Sequence, residues 1–202
     1  MTAVEVGPAT VRGADPVDDD LARAAIESID DTLMLVDDRP VSVRAVMGEL
    51  LRSAAGSGAD GLTVVHPTWW SRRRVKAVLD AAGDICGAAV AVARSEALGD
   101  GCEAIVEIAA QHVAVISAGV CTISRTSDDA VSAAVVHQIG YVRAAVVDVP
   151  PGVGATALVT AIAAALRGRG ITVAMTGARF RAPTTEKGTA WPSSYPPPYS
   201  KS

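Results

Sequence analysis

Short apolar runs rich in β-branched residues alternate along the chain with amphipathic stretches, and this alternation is the feature that most restricts the fold. In "TVVHPTWWSRRRVKAVLDAAG" (63–83) an apolar run stops at a proline and leads into a stretch with Val75, Val78 and Leu79 at helical spacing. Similar pairs of an apolar run and an amphipathic stretch occur on both sides of it. A chain of this kind is expected to fold as an α/β protein with helices packed on sheets.

The composition suits such layers. Half of the 202 residues are apolar but only 3% are aromatic, so the core must be built mainly from Ala, Val, Leu and Ile. Strands are predicted at 3–12, 32–36, 62–66, 88–94, 104–108, 113–117, 120–125 and 171–175. Helices are predicted at 18–28, 43–55, 71–82, 128–138 and 155–169, with Ser42 and Ser71 as N-caps.

Charge and hydropathy argue against two kinds of partner. The formal net charge of −4 offers no basic face for nucleic acid, whose phosphates such a face must neutralise. The longest apolar stretch, 153–166, is well below the roughly 20 residues that cross a bilayer, so we expect no membrane insertion. The N-terminus has no basic segment followed by an apolar run, so we expect no secretory signal and a cytoplasmic location.

The cysteines, histidines and acidic pairs indicate no catalytic or metal centre. Cys86, Cys102 and Cys121 are odd in number and widely spaced, so they are predicted to be buried reduced thiols. The three histidines stand apart from any nucleophile motif, which argues against a catalytic triad. Acidic pairs such as Asp37-Asp38 fall at predicted turns or helix starts, where capping and solvation explain them.

Three arginines, Arg72 to Arg74, open the helix predicted at 71–82. We expect them to form a solvated first turn, because cations at a helix N-terminus oppose the macrodipole. A surface for an anionic partner is the alternative. Trp69 and Trp70 precede them and are predicted to pack the join between strand and helix, with exposure at a partner surface as the alternative.

A later segment, "AVVDVPPGVGATALVTAIAAALRGRGITVAMTG", runs from a strand through a glycine turn to a helix and a strand, and resembles the phosphate loop of P-loop ATPases. Gly152, Gly154 and Thr156 would form the loop. Ala155 stands where the loop needs its lysine, and Val149 where the first glycine is expected. A P-loop-like regulator is therefore an alternative, and it predicts a glycine turn open to solvent and lined with free N–H groups.

Five segments fall in the order of the actin, sugar kinase and heat-shock chaperone ATPase superfamily. They are "AVEVGPATVRG", "TVVHPTWWSRRRVKAVLDAAG", "AVAVARSEALG", "AIVEIAAQHVAVIS" and "ITVAMTGARFRAP". The resemblance covers residues 3–183 and implies an α/β, actin-like (ribonuclease H-like) two-lobed fold, reduced in size. It implies one lobe at 1–99 and a second at 100–183. The Pro- and Ser-rich composition of 184–202 predicts a disordered tail.

In that superfamily two Asp-Gly turns grip phosphate and a late Gly-Gly turn meets the adenosine. The matching residues here are Glu5, Gly7, Glu107 and Gly177. Glutamates replace the aspartates, Pro8 has no N–H group, and Ala109, Ala110 and Gln111 occupy the glycine positions, so the phosphate cradle should be closed. The resemblance therefore implies a vestigial nucleotide site, and we expect no cofactor, no catalytic residue and no metal.

A narrower resemblance lies near the N-terminus. "VEVGPATVRG", "DDRPVSV" and "HPTWW" are similar to the N-terminal region of an actinobacterial type VII secretion-associated family, found in mycobacteria. This implies a non-catalytic pseudo-ATPase that serves as an accessory or interaction module, with secretion components as protein partners, in the cytoplasm or at the periphery of the inner-membrane machinery. The alternative is a nucleotide-binding ATPase switch in which Glu5 and Glu107 hold Mg²⁺ with ATP.

Overall fold

The computed structural model describes residues 1–57, 59–98 and 102–176. They form two main sheets with helices packed on them, so the predicted α/β class is confirmed. We call residues 1–98 the N-terminal lobe and residues 102–176 the C-terminal lobe. The boundary predicted between 99 and 100 lies outside the described residues, as do Gly177 and the tail predicted at 184–202.

The N-terminal lobe contains ten elements. They are β1 (Thr2–Val6), β2 (Val11–Arg12), α1 (Asp19–Glu27), β3 (Leu33–Val36), β4 (Arg39–Ser42), α2 (Val43–Ala55), β5 (Leu62–His66), α3 (Arg72–Gly83), β6 (Ala89–Ala93) and α4 (Arg94–Leu98). The main sheet has the order β2-β1-β5-β6, with β1, β5 and β6 parallel and β2 antiparallel. Strands β3 and β4 form a separate hairpin. The buried sides of α1, α2 and α3 share one apolar core with this sheet.

The C-terminal lobe contains seven elements. They are β7 (Ala104–Ile108), β8 (His112–Ile116), β9 (Val120–Ser124), α5 (Asp128–Ile139), β10 (Ala144–Asp148), α6 (Thr156–Gly168) and β11 (Thr172–Thr176). The sheet order is β11-β10-β7-β8-β9, with an antiparallel meander β7-β8-β9 and with β10 and β11 parallel to β7. This is a ribonuclease H-like order, as predicted. Helices α5 and α6 pack on one face and close a second core.

Several predicted elements are corrected by the structure. The strand predicted at 3–12 is the hairpin β1-β2, because the chain reverses at Gly7, whose N–H donates to the Thr10 carbonyl at 2.7 Å. Strand β4 and helix α4 were not predicted, since β4 contains Pro40 and α4 has only five residues. The cysteines are half-buried rather than buried.

The predicted N-caps and the helix predicted from the apolar stretch near residue 160 are confirmed. Ser42 and Ser71 cap α2 and α3 by accepting hydrogen bonds from the backbone N–H groups of Ala45 and Arg74, at 3.4 and 3.3 Å. Most of the apolar stretch at 153–166 forms α6, which buries Leu158, Ile162 and Leu166 in the second core. Of the helices in the described parts of the chain, none is long and apolar enough to cross a membrane.

Candidate functional site

The carboxyl ends of parallel strands from both sheets meet at a buried contact between the two lobes, which we call the cleft. Glu5 lies near the end of β1, Arg94 directly follows β6, Glu107 lies near the end of β7 and Asp148 ends β10. Glu107 and Asp148 are register partners on neighbouring strands, so their side chains lie on the same face of the C-terminal sheet. Ligand sites of α/β sheets form at this edge, so the cleft is the candidate functional site.

Arg94 joins the two lobes through a buried ion-pair network. Its Nε donates to Asp148 Oδ2 and its Nη2 to Asp148 Oδ1 at 3.1 Å, while Nη1 donates to Glu5 Oε1. The three side chains are almost inaccessible, with exposed fractions of 3% for Arg94, 0% for Asp148 and 7% for Glu5. Thr176 Oγ1 also donates to Asp148. The guanidinium thus bridges the ends of β1 and β10. Its two parallel hydrogen bonds to Asp148 are a bidentate geometry that arginine provides and lysine does not.

A second connection holds Glu107 of β7 against the loop between β5 and α3. Thr68 N–H donates to Glu107 Oε2 at 3.0 Å, and Thr68 Oγ1 contacts Glu107 Oε1. Ser95 N–H in turn donates to Thr68 Oγ1 at 2.9 Å, which ties this loop to α4. Both carboxyl oxygens of Glu107 therefore have partners from the N-terminal lobe.

Aromatic rings cross the cleft beside this contact. The Trp69 and His112 rings are perpendicular, with centroids 4.1 Å apart, and Trp69 also meets Trp70 edge to face. Trp70 is buried, so its predicted packing role is confirmed, while Trp69 remains half-buried at the lobe boundary. A cavity of about 360 Å³ opens beside Trp69 and His112, lined also by Gln111, Thr122 and Ser124.

Burial dominates the electrostatics of the cleft. Loss of hydration raises the pKa of Glu107 to about 7, against the two hydrogen bonds from Thr68 that favour the carboxylate. Burial also raises the pKa of Glu5, and Arg94 opposes this effect. Burial alone would lower the pKa of Arg94, but Asp148 and Glu5 outweigh it, so the net shift is upward and the guanidinium stays charged. Burial, with a smaller effect from Arg74, lowers the pKa of His112.

In the two turns that the resemblance matches to phosphate loops, backbone N–H groups have hydrogen-bond partners within the protein. Gly7 has φ of +94°, but a Cβ there would lie 2.8 Å from Trp70 Cζ2, so this glycine serves close packing. Its N–H is used within the hairpin, and Pro8 has none to offer. In the second turn the Ala109 N–H donates to the His112 carbonyl at 2.9 Å. Among the described residues, no group of three or more His, Cys, Asp or Glu side chains is placed to hold a metal.

The glycine turn of the P-loop alternative lies just before the N-terminus of α6. Gly152 and Gly154 are exposed, and Gly152 has φ of +82°. Ala155 is the N-cap of α6 and provides no side-chain hydrogen bond. The turn packs on the β1-β2 hairpin, because a Cβ on Gly152 would lie 3.1 Å from Thr10 Cγ2. The segment therefore has an exposed turn but lacks the lysine that such a loop needs.

The arginines of α3 are only in part the solvated turn that was predicted. Arg72 is exposed, but Arg73 donates to the Asp30 carbonyl at 2.8 Å. Arg74 donates to the Asp30 carboxylate from Nε and Nη2, at 2.8 and 2.5 Å. Both residues thereby fasten the loop after α1 to the start of α3. A contact between segments more than 40 residues apart explains a cation cluster that the macrodipole alone disfavours.

Of the predicted site residues, the structure brings Glu5 and Glu107 into the cleft, places Gly7 in the adjacent turn, and does not describe Gly177. Sequence reasoning missed Arg94, Asp148 and Thr68. Arg94 is the last residue of the strand predicted at 88–94, and Asp148 lies in the strand predicted before the glycine turn. One signal was available: a charged residue at the end of an apolar strand, which is where α/β sites gather polar groups.

No protein-family model and no curated protein matches this sequence. Among solved structures, the crystal structure of ethanolamine utilization protein EutJ from Carboxydothermus hydrogenoformans is similar, at 16% sequence identity and a TM-score of 0.39. The match covers 86% of this chain and 83% of that chain. The association with the type VII secretion-associated family therefore remains a prediction from sequence resemblance.

Proposed function

We propose that this chain is a non-catalytic actin-like pseudo-ATPase that acts as a protein-interaction module. The observation that carries the proposal is the position of Arg94, whose buried guanidinium pairs with Glu5 of one lobe and Asp148 of the other. In an actin-like ATPase the corresponding cleft receives a nucleotide and its metal ion. Here a side chain of the protein supplies the positive charge that links the lobes.

Nucleotide entry would require this network to break. Separating Arg94 from its partners would leave buried carboxylates without a counter-charge, which costs about 3–5 kcal/mol for a buried pair. The phosphate turns offer little in exchange, because Pro8 lacks an N–H and the Gly7 and Ala109 N–H groups are already used. These two facts favour a module whose lobes are held together without nucleotide.

Calorimetric titration of the purified chain with ATP and with ADP, with and without Mg²⁺, tests this proposal. We expect no binding heat for the wild-type protein. Arg94→Ala should be titrated beside it, with Arg23→Ala as a matched control, since Arg23 is exposed on α1. Magnesium-dependent heat in the wild-type protein that disappears in Glu107→Ala would overturn the proposal and restore the nucleotide switch.

The nucleotide switch remains the second candidate because three carboxyl groups share the cleft with one guanidinium. As they lie in this structure, the side chains of Glu5, Glu107 and Asp148 are not placed to hold a metal, so a divalent cation could balance their charge only after the cleft rearranged. In that case Mg²⁺ with ATP would bind only after Arg94 moved aside. Arg94→Ala should then bind Mg²⁺-ATP more tightly than the wild-type protein, whereas the pseudo-ATPase proposal expects no binding by either.

We further propose that the module is an accessory of type VII secretion, located in the cytoplasm or at the periphery of the inner-membrane apparatus. This step is supported only by the sequence resemblance of "VEVGPATVRG", "DDRPVSV" and "HPTWW". Affinity purification of the full chain from an actinobacterial lysate, followed by mass spectrometry, should recover secretion components. Their absence from the recovered proteins under conditions that preserve the folded chain would contradict this assignment.

A further inference from the structure

The buried charges that the structure describes between the lobes do not balance. Within the described residues, the carboxyl groups of Glu5, Glu107 and Asp148 lie in the cleft with the single guanidinium of Arg94. If all three carboxyl groups were ionised, the cleft would carry a net charge of −2 in a region with little access to water. Buried charge of this kind is normally removed by protonation of the least well-paired carboxyl group.

Of these three carboxyl groups, Glu107 has no ion-pair partner in the described part of the chain. Arg94 binds Glu5 and Asp148 directly, whereas the hydrogen bonds to Glu107 come from Thr68, which is neutral. The charged groups that act on Glu107 are Asp148 of β10, which disfavours the carboxylate, and Arg94 of α4, which favours it. Glu5 of β1 pairs with Arg94 and shares this guanidinium with Asp148.

Within residues 1–57, 59–98 and 102–176, the other elements beside Glu107 provide no charge that would hold it ionised. Ala114 of β8 is its register partner, and His112 two residues earlier has its pKa lowered by burial. Burial of Glu107 itself raises the pKa of its carboxyl group to about 7. The charge arrangement and the burial therefore agree that this group gains or loses its proton near neutral pH.

Thr68 can bond to either form of Glu107. With the carboxylate, Thr68 Oγ1–H donates to Oε1; with the carboxyl group, Oε1–H can donate to Thr68 Oγ1, which has two lone pairs. The Ser95 N–H uses one of these lone pairs and leaves the other free. The backbone N–H of Thr68 donates to Oε2 in both forms. Protonation thus changes the charge of the contact without removing its hydrogen bonds.

We propose that Glu107 and Thr68 form a proton-controlled latch between the lobes, closed when the Glu107 carboxyl group holds a proton and loosened when that proton is lost. Loss of the proton places a second negative charge beside Asp148 on the same sheet face. Repulsion between the two carboxylates and the hydration that the new charge demands both favour separation of the Thr68 loop from β7. The latch concerns the lobe contact alone and would hold whether or not the chain binds a nucleotide.

Energy transfer between two fluorophores, one on each lobe, tests the latch in solution. Arg23→Cys on α1 and Gln138→Cys on α5 place labels at exposed positions, with Cys86, Cys102 and Cys121 changed to Ser. Transfer efficiency is measured from pH 5.5 to 8.5 with dyes that do not titrate in this range and without nucleotide. We expect transfer efficiency to change as pH rises toward about 7, the pKa of the Glu107 carboxyl group in the closed contact.

Glu107→Gln should remove the transition and keep the low-pH efficiency throughout. Glutamine mimics the protonated carboxyl group, because its oxygen can accept from the Thr68 N–H while its amide donates to Thr68 Oγ1. Glu96→Gln is the matched control, since Glu96 is exposed on α4, and it should keep the wild-type transition.

Thr68→Val gives a directional test that a purely structural role would not produce. Removal of the hydroxyl takes away hydrogen bonds that the closed contact uses in both protonation states of Glu107, so the transition should move to lower pH. A wild-type efficiency that does not change with pH would overturn the proposal, as would a transition that persists unchanged in Glu107→Gln. Nucleotide binding detected by calorimetry would contradict the proposed pseudo-ATPase but not the latch.

Discussion

Arg94 and Asp148, 54 residues apart, form a bidentate ion pair across the cleft, with the guanidinium Nε and Nη2 donating to the two oxygens of one carboxylate. Arg94 starts α4 in the N-terminal lobe and Asp148 ends β10 in the C-terminal lobe. The pair therefore holds together two lobes whose apolar cores are separate. Because the pair is buried, salt should screen it far less than the surface pairs of this chain.

Arg94→Ala should destabilise the protein by about 3–5 kcal/mol, because it leaves Glu5 and Asp148 buried without a counter-charge. Arg94→Lys should recover only part of this loss, since an ammonium group cannot reproduce the two parallel hydrogen bonds to Asp148. The free energy of unfolding is measured in urea. The exposed control Arg23→Ala should stay within about 0.5 kcal/mol of the wild type. A loss in Arg94→Ala no larger than in the control would show that the network contributes nothing to stability.

The free energy of unfolding should decrease as pH rises, and this decrease should depend on Glu107. The folded chain holds this proton up to about pH 7, whereas the unfolded chain releases it near 4.5, so the contribution to stability is complete below about 4.5 and lost as pH rises to 7. Over that window the wild type should lose up to about 1.4 kcal/mol per pH unit relative to Glu107→Gln. Urea unfolding at a series of pH values measures the difference. Parallel curves for the two proteins would contradict the assignment.

The elements of this fold are readable from sequence because they follow from local chemistry. Helix α2 and strands β5 and β7 lie where apolar periodicity and the Ser42 cap placed them. Strand β4 was missed because Pro40 opposes strand assignment, and only pairing with β3 reveals it. The reversal at Gly7 was missed because the apolar pattern continues through the turn.

The candidate site was only partly predictable. Glu5 and Glu107 were found through the resemblance, and the structure brings both to the cleft. Arg94 and Thr68 were not found, since each gains its role from partners 39 to 89 residues away along the chain. No pattern within a strand or a helix encodes such a pairing. The prediction of closed phosphate turns depended on residue types alone. The pairing of Arg94 with Glu5 and Asp148 is visible only in the tertiary structure.

Gly7→Ala should destabilise the protein by about 1–3 kcal/mol. The residue has φ of +94°, which side chains rarely adopt, and its Cβ would lie 2.8 Å from Trp70 Cζ2 and 3.1 Å from Pro67 Cγ. Gly83→Ala is the matched control, because it lies at the end of α3 with nothing within 4 Å of an added Cβ. Thermal unfolding followed by circular dichroism should show a lower Tm for Gly7→Ala and an unchanged or higher Tm for Gly83→Ala. Equal Tm values would mean that the turn at Gly7 can shift freely.

Thr68 should be needed for lobe contact through its hydroxyl group rather than its shape. Thr68→Val keeps the volume but leaves Ser95 N–H and Glu107 Oε1 without their partner, so it should cost about 1–3 kcal/mol. Thr68→Ser keeps the hydroxyl and should lose less than half as much. The free energy of unfolding at pH 6, where Glu107 is mostly protonated, compares the two variants under one charge state. If Thr68→Ser were as unstable as Thr68→Val, loss of the methyl group and not of the hydroxyl would explain the destabilisation. The hydrogen bonds from Ser95 through Thr68 to Glu107 would then contribute little to the contact between the lobes.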